Sequence, residues 1–144
     1  MKHNPSQTDG TCKTQADCEY PLAGVQVLLV EDEFDVADLL LFILNQARAE
    51  VIWVMQSNDA VACLHHFHPD ILVSNIRLPD RDGDWLIQQI RQTELERITH
   101  LPAIAITSYT REVAANKVLE AGFDRFLPKH FDSEEIISSI LALV

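Results

Sequence analysis

Polar residues just beyond four of the five short apolar runs in this chain carry its candidate chemistry. The run 25–30 leads to Glu31 and Asp32, the run 71–74 to Asn75, the run 103–106 to Thr107, and the run 123–127 to Lys129 just past Pro128. Two carboxylates, an amide, a hydroxyl and an ammonium make a set suited to a hard cation and a phosphoryl group. Glu31 and Asp32 supply oxygen ligands of the kind Mg²⁺ takes, and the Asn75 side-chain oxygen offers a further one. Thr107 can donate one hydrogen bond to a phosphoryl oxygen, and Lys129 can offset its charge.

These residues matter only if the elements bring them together. The strand candidates are 25–30, 51–55, 71–75, 103–107 and 123–127. All but the last are continuously apolar, the pattern of strands covered on both faces. Between them lie amphipathic segments. Val36, Leu39, Leu40, Ile43, Leu44 and Ala47 follow helical spacing. A second helix is predicted from about Asn58 to His66, with Ser57 as N-cap. A third begins after Gly83 and runs to about Ile98, and a fourth from about Arg111 to Ala121 with Gly122 at its C′ position. A fifth starts at Asp132, with Glu135 at capping-box spacing, and carries Ile136, Ile137, Ile140, Leu141 and Val144 on its apolar stripe. Five strands alternating with five helices predict an α/β, doubly wound (βα)5 domain with a five-stranded parallel sheet. Such sheets place their ligands beyond the carboxyl ends of the strands, where the polar residues stand.

Composition agrees with a single globular domain. The chain has 144 residues, 47 % of them hydrophobic and 23 % charged. Its formal net charge of −11 disfavours a nucleic-acid partner. No apolar run approaches the roughly 20 residues of a membrane span, and the first ten residues lack the apolar core of a secretory signal, so a cytoplasmic location is expected. Residues 1–23 are polar and aperiodic and are read as a flexible leader, with the domain occupying 24–144. Cys12 and Cys18 lie in that leader and Cys63 in a helical pattern; an odd count argues against a disulfide framework, and free thiols are expected.

The segments "VLLVEDEFD", "PDILVSNIRLPDRDG", "PAIAITSY" and "GFDRFLPKHF" resemble, in order and in spacing, the four signature segments of the two-component response-regulator receiver domain. The resemblance covers about residues 24–144. It implies a flavodoxin-like fold and a Mg²⁺-dependent phosphoryl-accepting site. Glu31 and Asp32 match the metal-binding acidic pair, and Arg77 the position whose backbone carbonyl completes the metal shell. Thr107 matches the switch hydroxyl, Phe126 the switch aromatic and Lys129 the phosphate-binding lysine. The implied partner is a histidine kinase or another signalling protein.

Asn75 matches the phosphoacceptor aspartate, and there the chain departs from the pattern. A carboxylate oxygen attacks phosphorus to form an acyl phosphate. An amide is a very poor nucleophile, because its nitrogen lone pair is delocalised into the carbonyl. Ser74 is adjacent but should point to the other face of the strand; Asp80 and Asp82 are expected to lie too far out, and Thr107 has no evident base. Two smaller departures accompany this one. Glu31 replaces the commoner aspartate, and His130 follows Lys129 where proline is usual. A cis peptide without proline costs about 2.5–4 kcal/mol, so a trans Lys129–His130 bond with a displaced lysine is expected. Crowded carboxylates repel unless a cation is bound. An amide among them should therefore weaken Mg²⁺ binding while making the metal-free state more stable than that of Asn75→Asp.

Plainer readings accompany these. An acidic pair also suits a helix N-terminus, threonine also favours strands, and a lysine is commonly just solvated. His65, His66 and His68 are read as a solvated helix end, since no Cys or acid stands at ligand spacing; Trp53 and Trp85 are read as packing residues. The exposed sides of the fourth and fifth helices are either a partner face or simple cover for the sheet. The expected function is a stand-alone receiver-like module, without an effector domain, that binds partners independently of phosphorylation. The alternatives are an ordinary phosphoacceptor with an engineered Asp-to-Asn change, and a Mg²⁺-dependent phosphatase or phosphotransferase. The second needs an Asp-x-Asp nucleophile that Glu31-Asp32-Glu33 does not reproduce.

Overall fold

A computed structural model of the chain describes residues 20–97, 100–108 and 111–144. The expected leader, with Cys12 and Cys18, falls mostly outside the described residues. Ten elements alternate: β1 Gln26–Val30, α1 Phe34–Gln46, β2 Glu50–Val54, α2 Ser57–Leu64, β3 Ile71–Asn75, α3 Gly83–Arg97, β4 Ala103–Thr107, α4 Arg111–Ala121, β5 Arg125–Pro128 and α5 Ser133–Leu143. The strands form one parallel sheet in the order β2-β1-β3-β4-β5.

Strand alternation sorts the core into two layers. Val27, Leu29, Ile71, Val73, Ile104 and Ile106 pack with Leu40, Ile43 and Leu44 of α1 and Ile136 and Ile140 of α5. The intervening residues Leu28, Val30, Leu72, Ala103 and Ala105 pack with Ala60 of α2, Leu86, Ile87 and Ile90 of α3 and Val118 of α4. Each fully buried Leu or Ile contributes about 1.5–3 kcal/mol relative to exposure. Every residue of β3 and β4 is buried, as their continuous apolar runs require, whereas β2 is an edge strand with Glu50 and Ile52 exposed.

Several boundaries differ from the sequence expectation. Strand β5 begins at Arg125 rather than Phe123, because Phe123 is buried against the α3–α4 layer before pairing starts. Ser57 is not the cap of α2; Gln56 holds that position, and Ser57 is the first helical residue with its hydroxyl donating to the Arg81 carbonyl at 2.7 Å. The capping box of α5 is present: Asp132 accepts from the Glu135 N–H at 2.8 Å, and Glu135 accepts from the Asp132 N–H at 3.1 Å. Gly122 has φ +127°, the conformation that lets α4 end and turn into β5.

Candidate functional site

Register sets the site. Val30 pairs with Ser74, so the next residues, Glu31 and Asn75, emerge side by side at the carboxyl end of the sheet. Thr107 pairs with Pro128, and the Lys129 N–H donates to the Thr107 carbonyl at 3.1 Å. The β3–α3 turn closes tightly against β3: the Gly83 N–H donates to the Ile76 carbonyl at 2.7 Å, and a Cβ on Gly83 would stand 2.6 Å from the Asn75 carbonyl oxygen. Only glycine permits that approach, which holds the turn against the end of the strand.

The Asn75 amide sits at the centre of the acidic end. Its Nδ2 donates to Glu31 Oε2 at 3.0 Å, to Asp32 Oδ1 at 3.2 Å and to the Arg77 carbonyl at 2.9 Å. Its Oδ1 faces back and accepts from the Arg77 N–H at 3.3 Å. Asn75 is 2 % exposed and Glu31 has no exposed surface. Burial pushes the Glu31 carboxyl above its ordinary value. The Glu33 N–H, which donates to Glu31 Oε2 at 3.0 Å, and the Lys129 charge pull it back, while Asp32 and Glu33 push it further up. Glu31 Oε1 is buried without a hydrogen-bond partner among the described residues. Trp53 does more than pack: its Nε1–H donates to the Glu31 carbonyl at 2.8 Å while its ring meets Phe34 edge-on.

Lys129 lies at the mouth of the pocket, where its ammonium pairs with Glu33. The Lys129–His130 peptide is trans, since no cis bond occurs among the described residues. Thr107 is buried at the end of β4, and Phe126 is half-buried against the α3–α4 layer. Ser74 turns away, as strand alternation requires, and its hydroxyl donates to the Asn75 backbone carbonyl at 2.9 Å.

Asp80 is not idle in the loop. Its two carboxylate oxygens accept from the Ser57 and Asn58 N–H groups at 2.9 and 2.8 Å, so it caps α2 from the neighbouring turn. Burial alone would raise its carboxyl, but the N–H donors of Asn58, Arg81 and Ser57 outweigh that and hold it below the usual range. Glu33 and Asp80 as partners were not evident from sequence, because each bond joins loops that only folding brings close. The histidines at 65, 66 and 68 show no metal cluster; no group of three His, Cys, Asp or Glu able to hold a metal occurs among the described residues.

A parallel five-stranded sheet with acids, amide, hydroxyl and lysine at its carboxyl end defines the receiver class of α/β protein. Residues 27–141 match the response regulator receiver domain family, and the chain belongs to that family. It is 38 % identical over 116 residues to an uncharacterised 14.6 kDa protein of Leptolyngbya boryana, covering 81 % of this chain and 87 % of that one. Among solved structures, a protein described as a response regulator from Chloroflexus aurantiacus superposes with a TM-score of 0.75 at 30 % identity, covering 82 % of this chain and 98 % of that one. The receiver domain of a sensor histidine kinase from Pseudomonas aeruginosa superposes with a TM-score of 0.75 at 27 % identity, covering 84 % and 98 %; that structure has a magnesium ion coordinated in its active-site cleft.

The residues of this chain do not fit such an ion as they are arranged. Glu31 Oε2, Asp32 Oδ1 and the Arg77 carbonyl, which belong to residues the resemblance assigns to the metal, share the two hydrogens of Asn75 Nδ2. An ion drawn to the same oxygens would meet the positive end of the amide dipole, with the Asn75 oxygen turned away. The unpartnered Glu31 Oε1 leaves some negative potential in the pocket, but it is one acceptor and not a coordination shell.

Proposed function

We propose that this receiver domain of two-component signalling works as a phosphorylation-independent binding module. The observation that carries this reading is the amide at position 75, buried and hydrogen-bonded through both its ends at the place where the resemblance puts the phosphoacceptor. Asn75 offers no competent nucleophile: the nitrogen pair is delocalised, and Oδ1 is an uncharged amide oxygen that turns back to accept from the Arg77 N–H. Lys129, the group that would steady a transferred phosphoryl, is already paired with Glu33. Signalling by the domain then consists of presenting one stable surface to a partner, such as a histidine kinase or another signalling protein of the cytoplasm. In a conventional receiver a phosphoryl group biases a two-state equilibrium; here the hydrogen-bonded pocket favours one state permanently.

The test is incubation with a phosphohistidine donor or a labelled small phosphodonor and Mg²⁺, followed by intact-mass measurement. The chain should remain unmodified, while Asn75→Asp should gain one phosphoryl group. A stable phosphoryl adduct on the unaltered chain refutes the reading, and turnover of a phosphate ester would make the protein an enzyme instead.

A further inference from the structure

The direction of the Asn75 amide says more than the loss of a nucleophile. An amide nitrogen has two hydrogens and no acceptor capacity, and its oxygen has the reverse. Rotated end for end, the side chain would set Oδ1 against Glu31 Oε2, Asp32 Oδ1 and the Arg77 carbonyl, crowding four oxygens with the Glu33 N–H on Glu31 Oε2 as the donor that remains. Buried acceptors stranded in that way are costly, and charged ones more so. The observed direction shares the two amide hydrogens among all three oxygens and gives Oδ1 to the Arg77 N–H.

We propose that the Asn75 –NH2 group is a built-in replacement for the divalent cation. It joins, by hydrogen bonds alone, the β1–α1 and β3–α3 loops that a metal would otherwise join. Glu31 and Asp32 belong to the first loop and Arg77 to the second. Two neighbouring contacts extend the cross-link. Trp53 ties β2 to the Glu31 carbonyl, and the Glu33–Lys129 pair ties the β5–α5 loop across the mouth. For Mg²⁺ to enter, the amide must turn over and give up its bonds to three oxygens, and the ion must shed water to reach them at about 2.0–2.1 Å. The pocket is therefore a metal-free junction that stays closed whether or not Mg²⁺ is present. This rests on the same placement of Asn75 as the proposed function, but it concerns the cohesion of the loops rather than the chemistry of phosphorus.

The experiment is thermal unfolding of the full chain, of Asn75→Asp and of Asn75→Ala, followed by tryptophan fluorescence. Each is run in a chelator and across a Mg²⁺ series at constant ionic strength, because an acidic protein gains from screening alone. A ligand that binds only the folded state raises the midpoint with its concentration. The unaltered chain should show the same midpoint in chelator and in Mg²⁺. Asn75→Asp should start lower in chelator and climb with Mg²⁺, with an apparent affinity at least about tenfold above that of the unaltered chain. Asn75→Ala, which removes the donor and opens space, should also acquire a Mg²⁺ response. A saturable Mg²⁺ stabilisation of the unaltered chain matching that of Asn75→Asp overturns the proposal. So does indifference to Mg²⁺ in all three proteins, since the amide would then be replacing nothing. No phosphodonor takes part, so this result and the labelling result can fail separately.

Discussion

Glu31 is the costliest side chain of the pocket, and its environment makes a pH prediction. The residue has no exposed surface, one oxygen holds the Asn75 and Glu33 N–H donors, and the other has no partner among the described residues. Burial accordingly raises its carboxyl above 4.5 in the folded protein. A folded-state value above the unfolded one means that the native protein binds this proton more tightly. The stabilisation from protonation is complete below the unfolded value and is lost as pH rises through the folded value. Glu31→Gln keeps an oxygen for the Asn75 and Glu33 donors and removes the charge. The variant should be more stable than the parent near pH 7, and the difference should shrink as pH falls toward about 4.5. Urea unfolding of both proteins across that range checks it; a variant less stable at neutral pH would show that the carboxylate charge is needed to hold the amide. Asp84 carries a second raised carboxyl, from burial and the nearby Asp82, and is present in both proteins, so it cancels from the comparison.

At the scale of elements, the loops beyond the strands hold one another in place. Asp80, in the β3–α3 turn, serves as the missing N-terminal cap of α2, which has no cap bond from its own Gln56. Asp80→Ala should cost about 1 kcal/mol, the usual worth of a lost N-cap, read as a lower urea midpoint with unchanged slope. Its depressed carboxyl works opposite to Glu31: the stability it supplies is present above the ordinary carboxylate value and is lost as pH falls through its folded value. Backbone hydrogen exchange should place the loosening in the first turn of α2. An unchanged midpoint would mean that water caps the helix equally well.

The same elements show what sequence could reveal. β3 and β4 fall on the expected residues because strands buried on both faces leave uninterrupted apolar runs bounded by polar ends. α4 begins at Arg111 and ends at Ala121 as expected, with glycine marking its end, and the α5 capping box was legible because it is written within four residues. The convergence of Glu31, Asp32 and Asn75 was legible too, since parallel strands all present their carboxyl ends on one side. The direction of the amide, the Glu33–Lys129 pair and the Asp80 cap were not. Each depends on how two loops far apart in sequence are oriented, and no periodicity encodes that. The role of Ser57 was misread for the same reason: its hydroxyl serves a distant carbonyl rather than its own helix.

Across the whole molecule, the pocket at one end of the sheet is balanced at the other by a network centred on Arg91 of α3. Its guanidinium donates to the Gly122 carbonyl at 2.9 Å, to the Leu101 carbonyl at 2.7 Å, to Glu94 at 2.7 Å and to Asp124 at 3.1 Å. The two carboxylates have other duties: Glu94 also accepts from the Leu101 N–H, and Asp124 from the Ala103 N–H and the His100 ring. One side chain thus joins α3, the end of α4 and the entries to β4 and β5, all at the amino ends of the strands. The carboxylates are only partly exposed, so removing their cation leaves charges that water satisfies incompletely. Arg91→Met preserves much of the apolar stem and takes away all four kinds of bond. The expected loss is about 2–3 kcal/mol, below the 3–5 kcal/mol of a fully buried pair because solvent screens part of it. The network and the pocket share no side chain, and stability changes at independent sites add to within about 0.5 kcal/mol. Arg91→Met combined with Asn75→Asp should therefore lose the sum of the two single effects, and its Mg²⁺ response should equal that of Asn75→Asp alone. A double variant departing from additivity by more than about 1 kcal/mol would show that the two ends of the sheet are coupled through β4 and β5.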